Sequence, residues 1–71
     1  MTAMYVASSG EHRLPQFVSR STRGAQMHAS HLLPDGRITL QRLLWQGQPG
    51  TGTFVSTGRW EKEGRKWREV C

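Results

Sequence analysis

The stretch that decides the fold runs from Thr53 to Val70 and reads TFVSTGRWEKEGRKWREV. Its first eight residues are rich in the β-branched and aromatic types that favour strands. An acidic residue and a glycine then precede Arg65, a combination that is typical of a tight turn, and residues 66–70 return as a further strand. The stretch therefore predicts a β-hairpin.

A helix over residues 59–70 is the alternative, because large side chains recur there at helical spacing. Gly64 would cost that helix about 1 kcal/mol relative to alanine, so the hairpin is favoured. Loop length then decides where the two tryptophans lie. A loop of Glu63 and Gly64 alone places Trp60 opposite Trp67, whereas a three-residue loop sends the two indoles to opposite faces.

A second turn signal is Leu33-Pro34-Asp35-Gly36-Arg37, in which proline presets a turn angle and glycine accepts a left-handed one. It predicts a three-residue loop that joins a strand near 27–33 to a strand near 37–45. The alternation in this second strand breaks at Leu43-Leu44. We expect a β-bulge near Arg42, and a helix over residues 39–46 is the alternative.

The first third of the chain adds shorter signals. Residues 4–7 are a β-favouring run, and the run 12–20 is interrupted by Pro15, which restricts it to an edge strand or a bulged one. Residues 19–24 are predicted to be a polar, basic loop. Together these patterns predict one domain over residues 1–71 that is mainly β: a small antiparallel meander of five or six short strands in a curled sheet or small barrel. The alternative is an α+β fold with a helix at 39–46 or 59–70.

Charge and size indicate the kind of partner. Ten basic residues, eight of them arginine, oppose five acidic ones and give a net charge of +5. Such a balance attracts anions, so nucleic acid is the first expected partner and an acidic protein the second. A chain of 71 residues is marginally stable alone, and its single cysteine, Cys71, allows no internal disulfide. Homo-oligomerisation is therefore plausible.

No catalytic, cofactor or metal site is expected. The acidic residues are few and are accounted for by turns and surface pairs, so we expect no enzyme. His28 and His31 would point to opposite sides of the predicted strand and could not hold one ion. The chain contains no long apolar run and no signal-peptide pattern, so the sequence predicts a soluble, cytoplasmic protein without a membrane partner.

The functional expectation is a non-enzymatic nucleic-acid-binding domain, because basic grooves with exposed aromatic rings bind single strands on β-sheets. The candidate residues combine cations with tryptophans: Arg20, Arg23, Arg59, Trp60, Arg65, Lys66, Trp67 and Arg68. One alternative is a small adaptor or inhibitor, of the kind that phages and mobile elements encode, which docks on an acidic protein. Another is a self-assembling structural unit.

Overall fold

A computed structural model describes residues 2–33 and 36–70 of the chain. The elements in chain order are β1 (Ala3–Ser9), β2 (His12–Arg13), β3 (Phe17–Ser19), α1 (Thr22–Leu32), β4 (Ile38–Gln46), β5 (Thr53–Glu63) and β6 (Lys66–Glu69). The six strands form one antiparallel sheet that does not close into a barrel. The predicted mainly β class is therefore confirmed, and the sheet is the open form of the two that the sequence allowed.

Strand β1 lies inside the sheet, whose order is β2-β1-β4-β5-β6. One edge of β1 pairs with β4. The other edge pairs with β2 at residues 8–9 and with β3 at residues 3–5. Pro15 lies between β2 and β3 and has no N–H to donate to a strand ladder. The predicted run 12–20 is therefore divided into two short strands at the proline. Next to it, the Leu14 N–H still donates to the Ala7 carbonyl, at 3.1 Å.

The helix is the main correction to the sequence prediction. The strand expected near 27–33 is instead part of α1, and neither 39–46 nor 59–70 is helical. Ser21 caps the helix, because its Oγ accepts a hydrogen bond from the Gly24 N–H at 3.0 Å. The polar segment 19–24, predicted to be a loop, therefore holds the end of β3 and the first turn of α1.

Two alanines form the buried side of the helix. Ala25 and Ala29 are four residues apart, so they lie on one side of α1, and both are fully buried. Leu33 follows the helix and is buried too. Because α1 precedes β4 in the chain, the predicted hairpin between two strands is replaced by a connection from helix to strand. The predicted turn itself depends on Pro34 and Asp35, which lie outside the described residues.

Strand β4 carries the predicted irregularity. Its pairing with β5 shifts between Arg42 and Leu43, where Arg42 faces Gly58 and Leu43 faces Ser56. Thr57 is thus the extra residue of a β-bulge, on the partner strand. The strand interpretation of residues 39–46 and the position of the bulge are both confirmed.

The β5–β6 hairpin also forms, with a loop shifted by one residue from the prediction. The loop consists of Gly64 and Arg65, and Gly64 has φ +64°, the left-handed angle that such two-residue turns require. Trp67 pairs with Lys62, so it lies on the same face as Trp60 and diagonal to it. The two tryptophans are therefore neither directly opposite nor on different faces.

The core lies between α1 and one face of the sheet. Its buried members are Tyr5, Ala7, Ala25, Ala29, Leu33, Ile38 and Leu40, and Trp60 and Trp67 pack against them while half-buried. The opposite surface of the sheet, the helix-free face, carries the alternate residues of each strand. These include Met4 on β1, Leu43 on β4, and Arg59 and Glu61 on β5.

Candidate nucleic-acid interface

The fold distributes the eight predicted site residues over several places. Arg20 and Arg23 lie at the start of α1, and Arg65 lies in the last turn. On β5 and β6, alternation puts Arg59, Lys66 and Arg68 on the helix-free face and the two tryptophans on the helix side. The candidate residues therefore do not share one surface, and the two groups of cations must be considered separately.

Two of the cations on β5 and β6, Arg59 and Arg68, have an acidic partner. Glu61 lies between Arg59 and Arg68, whose Nη2 atoms are 3.7 and 3.8 Å from its two carboxylate oxygens. Glu63 accepts a 2.7 Å hydrogen bond from Nη2 of Arg37. This bond lowers the pKa of Glu63 and raises that of Arg37, and the attraction between the two charges acts in the same direction. Much of the positive charge on this part of the face is therefore locally balanced.

The second group surrounds a cavity at the start of the helix. The cavity has a volume of about 420 Å³ and is lined by Arg20 and Arg42 together with the hydroxyl-bearing residues Ser21, Thr22 and Thr57. Among the residues that the structure describes, no carboxylate lines it. Two arginines thus line one cavity that has no carboxylate in its described lining.

Arg42 is held in place by uncharged partners. Its Nε donates to Oγ1 of Thr57 at 3.0 Å, and its Nη2 donates to the Thr57 carbonyl oxygen at 3.2 Å. The central carbon of the guanidinium lies 5.5 Å from the centre of the Trp60 ring, a cation–π contact. A guanidinium has five N–H donors, so this arrangement fixes the group and leaves donors for another ligand.

The position of Trp60 depends on a glycine. A Cβ atom at Gly58 would lie 2.6 Å from Cη2 of the indole, so any larger residue would displace the ring. The indole therefore lies against the backbone of β5 on one side of Arg42. In this arrangement Trp60 is half-buried and supports a guanidinium.

The opposite wall of the cavity is fixed to the sheet. The hydroxyl groups of Tyr5 and Thr22 lie 3.1 Å apart and share a hydrogen bond, which ties the first residue of α1 to β1. Arg20 directly precedes the capping residue and is exposed, and Arg23 lies in the first helical turn. The cavity is thus formed by residues that are far apart in the chain.

Sequence reasoning did not select Arg42 or Thr57 as site residues. The broken alternation after Arg42 indicated a bulge, and a bulge often redirects a side chain near a functional site. The sequence could not show that the extra residue would be Thr57, on the partner strand, because this follows from the register of β4 and β5.

The two histidines of the predicted strand lie on a helix instead. On α1, His28 and His31 are three residues apart and share a side of the helix, which corrects the opposed arrangement expected for a strand. His28 packs on Phe17, with ring centres 4.3 Å apart. Within residues 2–33 and 36–70, no group of three histidine, aspartate or glutamate side chains is placed to hold a metal ion.

Two further findings complete the description. In the described part of the chain, no helix has the length and apolar character needed to cross a bilayer. Comparison of the chain with protein-family profiles, curated proteins and solved structures finds no match. The geometry of this helix-start cavity is therefore the basis on which a function can be assigned.

Proposed function

We propose that this domain binds nucleic acid, without catalysis, at the helix-start cavity. Arg20 and Arg42 would contact phosphate oxygens there, and the hydroxyl groups of Ser21 and Thr22 would supply further donors. The observation that carries the proposal is the convergence of two arginines on a cavity with no carboxylate in its described lining. Two neighbouring cations without a carboxylate beside them attract anions, so such a site favours an anionic ligand.

The chemistry of arginine favours phosphate as the group that is bound. The planar fork of a guanidinium matches two oxygens of a phosphate, and charge-assisted hydrogen bonds of this kind are the stronger ones. Arg42 is already oriented by Thr57 and Trp60. Little side-chain entropy would then be lost on binding, which raises affinity without any additional contact.

The other candidate residues have graded roles in this proposal. Arg23, which follows the cavity residue Thr22 in the first turn of α1, would extend the contact along the phosphate backbone. Lys66 and Arg65 would attract the ligand at longer range. Arg59 and Arg68 would contribute less, because each already faces Glu61.

The two tryptophans would act from within the protein. Trp60 would position Arg42, and Trp67 would stabilise the hairpin that carries Trp60, since both rings pack against the core. The proposal thus keeps the predicted ligand class and moves the principal contacts to the start of the helix.

The test compares two double variants that remove the same charge. Arg20→Gln with Arg42→Gln, and Arg59→Gln with Arg68→Gln, each lower the net charge from +5 to +3 by removing two arginines. Binding of a fluorescent single-stranded oligonucleotide at low salt would be measured by anisotropy. We expect the first variant to lose about tenfold or more in affinity, which is about 1.4 kcal/mol, and the second to lose clearly less.

Folding and charge need separate controls. Thermal unfolding followed by circular dichroism shows whether each variant retains its structure, and Arg42→Lys keeps the charge while removing the fork. Equal losses in the two double variants would mean that net charge alone drives binding. Absence of binding by the unaltered protein at low ionic strength would end the proposal.

A further inference from the structure

The helix-free face carries an apolar stripe that runs across three strands. Val18 on β3 pairs with Met4 on β1, and Met4 pairs with Leu43 on β4, so the three side chains are neighbours on this face. Val18 is 62% exposed. Antiparallel sheets normally present polar residues on a solvated face, so this row departs from the usual alternation.

The stripe continues onto a two-stranded arm. Strand β4 extends beyond its pairing with β1, and there Trp45 pairs with Phe54 of β5. Their rings meet edge to face with centres 5.0 Å apart, and the two residues remain 42% and 39% exposed. By strand alternation Trp45 lies on the same face as Leu43. We define the apolar stripe as Met4, Val18, Leu43, Trp45 and Phe54.

The total surface is large for the mass. The accessible surface of the chain is 5414 Å², whereas a compact monomer of 8.1 kDa exposes about 4500 Å² by the usual scaling. The excess of about 900 Å² is close to the ~800 Å² that each partner buries in a standard stable interface. The long axis of 39 Å, against 22 and 21 Å for the others, shows how extended the molecule is.

We propose that the helix-free face stacks on the same face of a second copy of this chain. Two such sheets would pack about 10 Å apart with their apolar stripes interdigitated, as in a β-sandwich. An isologous dimer needs a surface that complements itself, and an apolar stripe across the strands does so. The excess surface matches the area that one such interface removes from each copy.

The positions of the charged residues on the helix-free face are compatible with a second copy of the chain. The ionic groups of the face, Arg59, Glu61 and Arg68 among them, lie toward the end of the sheet opposite the arm. A two-fold axis parallel to the apolar stripe would place these ends on opposite sides of the interface. The cations of one copy would then not face the same cations of the other.

The dimer and the proposed nucleic-acid site share one residue, because Leu43 of the apolar stripe also lines the helix-start cavity. The residues that the two tests alter, Val18 and Trp45 against Arg20 and Arg42, are not shared. Arg42 pairs with the buried Tyr5, so its side chain lies on the helix side of the sheet, outside the sandwich. A dimer would therefore leave the Arg42 side chain of each copy outside the interface. Loss of one property would leave the other measurable.

The test uses two matched substitutions on the full chain. Val18→Glu places a carboxylate in the apolar stripe, and Leu32→Glu places one at a similarly exposed position on α1, where Leu32 is 58% exposed. Nuclease-treated protein in high salt is analysed by sedimentation equilibrium, so that bound nucleic acid cannot bridge two copies. Circular dichroism verifies that both variants fold.

We expect the unaltered protein and Leu32→Glu to have twice the mass of the 8.1 kDa chain, and Val18→Glu to have the mass of one chain. Trp45→Glu, at the other end of the apolar stripe, should repeat the result of Val18→Glu. If the unaltered protein is monomeric at all concentrations, the proposal is overturned. This outcome includes the case in which a different protein covers the helix-free face. A dimer that persists in Val18→Glu, or that is lost in Leu32→Glu, would overturn it as well.

Discussion

The two ends of the sheet hold arginines in opposite electrostatic settings. Near the start of the helix, Arg42 is oriented by a threonine and an indole, and it forms no ion pair with any described carboxylate. At the β5–β6 end, Arg59 and Arg68 share one carboxylate, that of Glu61. The difference shows that the position of a few acidic residues decides where a basic protein can bind an anion.

The register of one hairpin produces this difference. The loop of Gly64 and Arg65 makes Arg68 the direct partner of Glu61 across the strands. A loop one residue longer or shorter would move Arg68 to the other face, since alternate residues of a strand point to opposite sides. No comparable acidic residue faces the helix start in the described chain, because the residues there are hydroxyl-bearing or apolar.

The largest expected effect on stability comes from a substitution in the core that supports both ends of the sheet. Leu40 is fully buried between the sheet and α1, so Leu40→Ala should lower the free energy of unfolding by about 2–5 kcal/mol. Urea unfolding followed by circular dichroism measures this loss. Leu32→Ala, the same substitution at an exposed position, should change the free energy by less than about 0.5 kcal/mol. Similar losses in the two variants would contradict the core described above.

The next effect acts on the helix-start end alone. In Gly58→Ala the new methyl group would meet the Trp60 indole, and overpacking of this kind costs about 1–3 kcal/mol. Displacing the ring would also release Arg42, so oligonucleotide affinity should fall even under conditions where the variant is fully folded. Urea unfolding and anisotropy measure the two quantities.

A double variant separates the clash from other effects of the methyl group. Gly58→Ala combined with Trp60→Phe removes the outer part of the indole that the methyl group would meet. The two substitutions should therefore be non-additive, with the second relieving part of the first. If the changes in the free energy of unfolding were strictly additive, the methyl group at position 58 would not clash with the Trp60 indole.

A smaller effect concerns the opposite end. Glu61→Gln removes the carboxylate that Arg59 and Arg68 share, and exposed ion pairs of this kind contribute about 0–1 kcal/mol to stability. Oligonucleotide affinity should rise, since two arginines become available. Glu69→Gln is the matched control, because it changes the net charge equally and Glu69 has no ion pair within the described residues. An equal rise in both variants would assign the effect to net charge.

Local patterns predicted the strands well and the helix poorly. The β-rich stretch 53–70 and the interruption at Pro15 both describe interactions within or between neighbouring segments, and both are confirmed. Helix α1 contains threonine, histidine, serine and glycine, which are weak helix formers. It is stabilised by packing Ala25 and Ala29 on the sheet, an interaction that no local propensity records. Its sequence signals were the capping Ser21 and the four-residue spacing of those alanines.

The candidate site was predictable only in part. The sequence identified Arg20 and Arg23 as cations in a polar segment, and it placed a bulge near Arg42. It could not place Arg20 and Arg42 at one cavity, because this depends on how the helix start is fixed on β1 through Tyr5 and Thr22. Contacts between residues so far apart in the chain depend on the whole fold.

The smallest expected effect is a titration at the charge-balanced end. Arg37 holds the pKa of Glu63 below its ordinary value, so this carboxylate should protonate at lower pH than a free glutamate, as followed by NMR. A lowered pKa in the folded state stabilises the protein above the unfolded-state pKa, and this contribution is lost as the pH falls through the folded-state value. Both side chains are exposed, so the change in stability should be slight. Arg37→Gln should move the midpoint upward, and an unchanged midpoint would show that the ion pair does not persist in solution.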